Sequence, residues 1–205
     1  MRKTMLLTAL AILLAIPMQS QTDPNWHWNF GIGYPFPLGK TSDAASGVFG
    51  MTVGANKAIN PKLAMRFDGD WNRFNPSSAV KQAYQAEGGY ANVWSLSADL
   101  QYTLTESGRN KSYIFGGVGT HYKQIYLTNP GIGWACDPWW GICAPVGTDV
   151  ITDKKTDTAF GANAGIGMQW PLLSGSEFYV EGKYQWVSGN NADVQFIPLT
   201  IGWRW

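Results

Sequence analysis

Asp193-Val-Gln-Phe-Ile-Pro-Leu-Thr-Ile-Gly-Trp-Arg-Trp205 decides how the rest of this chain is read. In an extended strand successive side chains point to opposite faces. Ile197, Leu199, Ile201, Trp203 and Trp205 therefore share one side, and Phe196, Pro198, Thr200, Gly202 and Arg204 share the other. One face is greasy and ends in two indoles, while the other carries an arginine. Such a strand needs an apolar medium against its greasy face and a partner strand beside it.

Working upstream, the same alternation recurs. Trp26, Trp28, Phe30, Ile32 and Tyr34 form one face of strand one, and Phe49, Met51, Val53 and Ala55 oppose Val48, Gly50, Thr52, Gly54 and Asn56 in strand two. After a tight Ile59-Asn60-Pro61 turn, strand three sets Leu63, Met65, Phe67 and Trp71 against Arg66, Asp68, Asp70 and Asn72. Strand four sets Tyr90, Trp94, Leu96, Ala98, Leu100 and Tyr102 against Val93, Ser95, Ser97, Asp99 and Gln101. Strand five (113–126) is phased with Ile114, Val118, Tyr122 and Tyr126 outward and His121 and Lys123 inward; strand six covers 156–170, and strand seven opposes Phe178, Val180, Tyr184 and Trp186 to Tyr179, Glu181, Lys183 and Gln185. Segments 37–46, 75–89 and 127–155 read as long connections, whereas 105–111 and 171–176 read as short turns.

This pattern predicts an all-β fold: an eight-stranded antiparallel up-and-down transmembrane β-barrel, with short turns on one side and long loops on the other. The aromatics fall in two tiers that read as interfacial girdles: Trp26, Trp28, Tyr113, Trp170, Phe178, Trp203 and Trp205 near the short turns, and Tyr34, Trp71, Tyr90, Tyr122, Phe160 and Trp186 near the loops. A soluble eight-stranded barrel would invert the pattern, apolar inside and polar outside. A narrow interior holding Arg66, Asp68, Asp70, Glu181, Lys183 and Arg204 has no room for the tryptophans as well. Pro198 in strand eight, with Pro35 and Pro37 in strand one, lack ladder donors, which predicts a bulge or missing bonds where those strands close the barrel.

Residues 1–20 have the charged, apolar and polar regions of a secretory signal, with cleavage expected near 20/21, which leaves 21–205 as a single barrel domain. A formal net charge of +1 and no basic patch argue against a nucleic-acid partner. Cys136 and Cys143 lie close together in an exported chain, where a disulfide is the default expectation.

In signal, strand count, loop asymmetry, terminal aromatic and the glycine-rich run Tyr113-Ile-Phe-Gly-Gly-Val-Gly119, the chain resembles the small OmpA/OmpX-like outer-membrane barrels over its mature length. The resemblance implies a place in the outer membrane of a Gram-negative bacterium, among outer-membrane lipid and lipopolysaccharide. It also implies that Trp205 is the signal read by the barrel assembly machinery.

Three constellations could carry function. The inward charges Arg66, Asp68, Asp70, Asp99, Glu181, Lys183 and Arg204 read as a salt-bridged plug, so no open pore is expected. The 127–155 loop carries Trp134, Trp139 and Trp140 beside the two cysteines; it could meet a surface ligand, or the indoles could fold back on the barrel rim. His27 and His121 begin at opposite ends of the barrel and cannot readily share a metal; no cofactor is expected. The reading is a structural or surface-interaction protein. The alternative is a barrel enzyme that modifies lipid A, of deacylase or palmitoyltransferase type, which would require an inward serine beside one of the histidines with a supporting carboxylate.

Overall fold

The computed structural model describes residues 26–107, 110–136, 143–172, 175–189 and 193–205. Its strands are β1 Trp26–Pro37, β2 Ala45–Asn60, β3 Leu63–Pro76, β4 Gly88–Ser107, β5 Asn110–Cys136, β6 Cys143–Pro171, β7 Glu177–Val187 and β8 Val194–Arg204. They pair in sequence order into a closed barrel, β8 returning to β1. All ladders are antiparallel, and closure of the ring leaves no strand as a free edge in lipid.

The two faces separate as the alternation requires. Arg66, Asp68, Asp70, Asn72, Ser95, Ser97, Asp99, Glu181, Lys183 and Arg204 are buried, while Leu96, Leu100, Val118, Ile166, Ile201 and Trp203 are exposed on the outer surface. In a soluble protein that exposure would be an error. Here it is the lipid-facing band. The girdle near the short turns is a chain of ring contacts from Trp170 to Phe178 and on to Trp203, with centroids 5.9 and 6.1 Å apart. Toward the loops, Trp71 meets Trp94 and Tyr90 stacks on Tyr126.

Several details depart from the sequence reading. Tyr113, assigned to the outer girdle, is fully buried inside the barrel. It follows the phase of its own strand, in which Ile114 and Val118 point outward. Its ring and that of Phe115 lie over Gly167 and Gly165 of β6, where a Cβ would collide with them, so these glycines make room for interior aromatics. Val48, placed on the inner face, is 39% exposed because a register shift between Gly47 and Phe49 turns it outward.

Two of the connections hold short helices, α1 Lys40–Ala44 and α2 Ser78–Ala83, the latter capped by Ser77 accepting from the Val80 amide. At the opposite end, the Asn60 side chain accepts from the amides of Lys62 and Leu63, which closes the β2–β3 turn. β4 and β5 pair through Ser107 and Asn110, so strand runs into the segment read as a turn.

The largest departure is the segment 127–155. Its described residues, 127–136 and 143–155, are strand rather than loop: β5 and β6 stay paired through a register shift between Leu127 and Thr128 and on for nine further pairs, from Thr128–Ile151 to Cys136–Cys143. β4 accompanies β5 only as far as Thr128, and β7 accompanies β6 only from Gly161. The hairpin therefore rises from the wall as a two-stranded ribbon.

The closing seam also differs from expectation. β1 and β8 pair without a shift over nine positions, Asn29–Arg204 to Pro37–Phe196. Trp28 and Trp205 exchange both backbone bonds, and the Leu38 amide donates to Gln195. The bonded positions of β1 are therefore the even-numbered residues. Pro35 faces Pro198, and Pro37 faces Phe196, at non-bonded positions where no N–H is needed. The missing donors point away from the seam. Pairing of β7 with β8 skips Lys183–Pro198 and Tyr184–Ile197, and that of β1 with β2 stops at Gly33–Gly50.

Candidate functional site: the barrel interior and its outer mouth

The middle of the barrel is an ion-pair cluster built from inward positions of β3 and β7. Arg66 donates to both oxygens of Glu181, at 2.9 and 3.0 Å, and to Asp68 at 2.6 Å, with its guanidinium 4.2 Å from the centre of the Phe115 ring. Lys183 lies 2.7 Å from Asp70 and 3.6 Å from Asp68. Thr52 and Gln185 also donate to Asp70, Asn29 to Asp68, and Tyr113 to Glu181. Burying these charges is costly, and the cost is offset only because each meets an opposite charge with further hydrogen bonds. The cluster crosses the lumen from β3 to β7 and occupies it.

Two members of the expected set stand apart. Asp99 accepts from Asn163 at 2.8 Å and from Ser97 at 3.4 Å. Arg204 donates to Gln169 at 2.6 Å and sits 5.5 Å from the ring centres of Tyr113 and Tyr179. These aromatics fill the lumen toward the short-turn end.

Sequence reasoning placed Ser95 on the inner face without finding its neighbour. Its hydroxyl lies 2.7 Å from Nδ1 of His121. Strand register explains the meeting, because Ser95 and His121 are direct partners across β4 and β5. Nε2 of the imidazole has no hydrogen-bond partner, and Asp70 bonds to Thr52, Lys183 and Gln185 rather than to His121. The pair therefore has a serine and a histidine but no carboxylate on the ring to hold a tautomer and stabilise an imidazolium. His27 is on β1, exposed at the short-turn end. No group of three or more metal-binding side chains occurs among the described residues.

Toward the loops the interior changes character. Phe74, Val93, Val187 and Phe196, inward residues of β3, β4, β7 and β8, form an apolar layer, with Phe74 and Phe196 edge to face at 5.2 Å. Above it opens a cup of about 790 Å³. Its rim is polar: Lys123 pairs with Asp157 at 2.8 Å, and Lys155 donates to the Tyr84 hydroxyl at 3.0 Å, which holds its ammonium charged beyond the ordinary lysine range. The ribbon is tied down at its base, where Asn129 accepts from the Glu87 amide and donates to the Gln85 carbonyl.

Of the loop constellation, Cys136 and Cys143 are backbone register partners. The side chain of Trp134, together with Trp139 and Trp140, lies outside the described residues, as does the segment read as a signal.

A closed eight-stranded antiparallel sheet with a charged, filled interior and an apolar outside defines an integral β-barrel membrane protein. The chain belongs to the outer membrane protein β-barrel domain family, whose model matches residues 6–204. It is thus a protein of the bacterial outer membrane. Among solved structures it is similar to Neisserial surface protein A, with a TM-score of 0.57 and 14% identity over 88% of this chain and 96% of that one. It is also similar to a major outer membrane protein from Thermus thermophilus, with a TM-score of 0.53 and 12% identity over 88% of this chain and 98% of that one. At these identities the likeness is one of fold. No curated protein matches the sequence.

Proposed function

We propose that this protein is a non-conducting barrel whose work is done by the part that stands outside the membrane, the β5–β6 ribbon acting as a surface-interaction element. The observation that carries this reading is the nine-pair extension of that hairpin past its neighbouring strands. At about 3.4 Å per residue it lifts the tip roughly 30 Å above the point where the register shifts. Ile132, Val150 and Ile151 are exposed along it. The lumen supports the same reading, since Arg66, Glu181 and Lys183 span it and an eight-stranded barrel leaves little room beside them.

The remaining sequence expectations join this proposal. Cys136 and Cys143 close the tip as a disulfide, for which facing positions of an antiparallel pair lie within the usual Cα range. Trp134, Trp139 and Trp140 are presented there, and Trp205 marks the chain for barrel assembly.

The test is to replace residues 129–150 by a short Gly-Ser turn. Cells bearing the full chain should be retained on immobilised lipopolysaccharide or on a glycan array and lose that retention when the ribbon is removed, while the barrel stays folded. Equal retention of the two would refute the proposal. The Ser95–His121 contact is the one observation that favours lipid A modification instead. Unchanged lipid A mass spectra with and without expression would dispose of it.

A further inference from the structure

The water-facing mouth of this barrel is apolar where the sequence pattern calls for polar residues. Phe74 and Val93, on the inward face of β3 and β4, form the floor of the 790 Å³ cup, and Ala45, Ala91 and Val194 continue its sides. An apolar recess of this size open to water is costly to leave wet, and its volume falls in the range of small-molecule sites. The rim has the opposite character. Lys123 and Lys155 face the cup with one carboxylate, Asp157, while the ammonium of Lys154 lies over the Tyr126 ring on the outer face, so the cup-facing side chains carry a net charge of +1. Val80 and Pro76 line one side and Thr41 and Ala44 another.

We propose that the outer mouth binds a single-chain amphiphile with an anionic head, of the long-chain carboxylate class. The alkyl chain lies on Phe74 and Val93, and the head meets the lysines of β5 and β6. A single chain is required because an eight-stranded wall encloses room for one small ligand at most. The anionic head is required by the lysine excess. Lys123 is partly neutralised by Asp157, while Lys155 has only the neutral Tyr84 hydroxyl as its hydrogen-bond partner, so Lys155 dominates the preference.

The experiment is equilibrium binding of radiolabelled dodecanoate to the full chain folded in nanodiscs, with empty nanodiscs as the blank. Saturable uptake near one equivalent per barrel is expected. Lys155→Glu should weaken it at least tenfold, and Val93→Trp, which fills the floor, should reduce it to the blank. Lys155 lies at the exposed rim, so the charge-reversed protein tests the idea even if the tryptophan variant does not fold. Dodecanol, with the same chain and a neutral head, should bind at least fivefold more weakly. Uptake no greater than the blank, saturable uptake indifferent to the lysine variant, or equal binding of the alcohol would each overturn the proposal. Binding that emerges only when residues 137–142 are deleted would overturn it too, and would assign the cup to the chain's own tip.

Discussion

Arg66→Met would remove the cation around which the interior is built. The side chain is fully buried and makes two bonds to Glu181 and one to Asp68. The substitution strands two carboxylates in a lumen with little water. Lys183, 3.6 Å from Asp68, and the Tyr113 hydroxyl on Glu181 recover part of the loss. Removing one partner of a buried pair typically costs about 3–5 kcal/mol, and this site should fall within that range. Removing the second partner as well should be cheaper. In Arg66→Met with Glu181→Met the pair leaves together, Asp68 keeps Lys183, and the added methionines are apolar, so the double variant should unfold within about 2 kcal/mol of the parent. Equilibrium urea unfolding in phospholipid vesicles, followed by tryptophan fluorescence, measures all four proteins and gives the coupling directly. A single-variant loss below about 1 kcal/mol, the level of an exposed ion pair, would refute the reasoning, as would a double variant costing the sum of the singles.

Three further outcomes are expected. Trypsin added to intact cells should release peptides cut after Lys81 or at Lys154 and Lys155, on the loop side, and none cut after Lys111; cleavage at Lys111 alone would invert the topology. Replacing both cysteines by serine should leave heat-modifiable barrel migration intact while freeing the ribbon tip, a loss of roughly 2–3 kcal/mol of local ordering by chain-entropy estimates, visible as faster proteolysis between 127 and 155. In hydrogen exchange the amides of Phe30, Ile32 and Tyr34 on the seam should be as protected as those in the middle of β3 and β4, since Pro198 leaves only the Lys183 carbonyl without a donor; exchange at least tenfold faster on the seam would restore the weak seam that the sequence suggests.

The wall of the barrel was legible because membrane and lumen impose opposite polarity on alternate residues, and a strict period of two is hard to produce otherwise. Arg66, Asp68, Glu181 and Lys183 could be assigned to one interior from periodicity alone. Which of them would touch depended on the register between strands, and that hid the Ser95–His121 contact and left Asp99 and Arg204 in a network they largely stand outside. Tyr113 was misplaced because composition suggested a girdle while the strand's own phase pointed inward. The ribbon was read as loop since Pro130, Gly131, Gly133 and Pro145 are turn-forming residues, yet a two-stranded hairpin anchored in a barrel tolerates them at positions that a free peptide would not. At the seam, counting prolines was insufficient. The parity of the bonded positions decides whether a missing N–H matters.

That parity bears on how the ring closes. Antiparallel strands offer donors to alternate sides, so β8 could meet β1 one residue out of place only by rotating half a turn about its own axis. Rotation would bring the donor-less nitrogen of Pro198 into the junction and turn Trp203 and Trp205 from lipid into the crowded lumen. Rotation would only move the bond lost at Pro198 from the β7 side to the junction, so the penalty that opposes this error is the steric one. The indoles of Trp203 and Trp205 therefore act as a check on closure, admitting β8 in one phase and turning away the other.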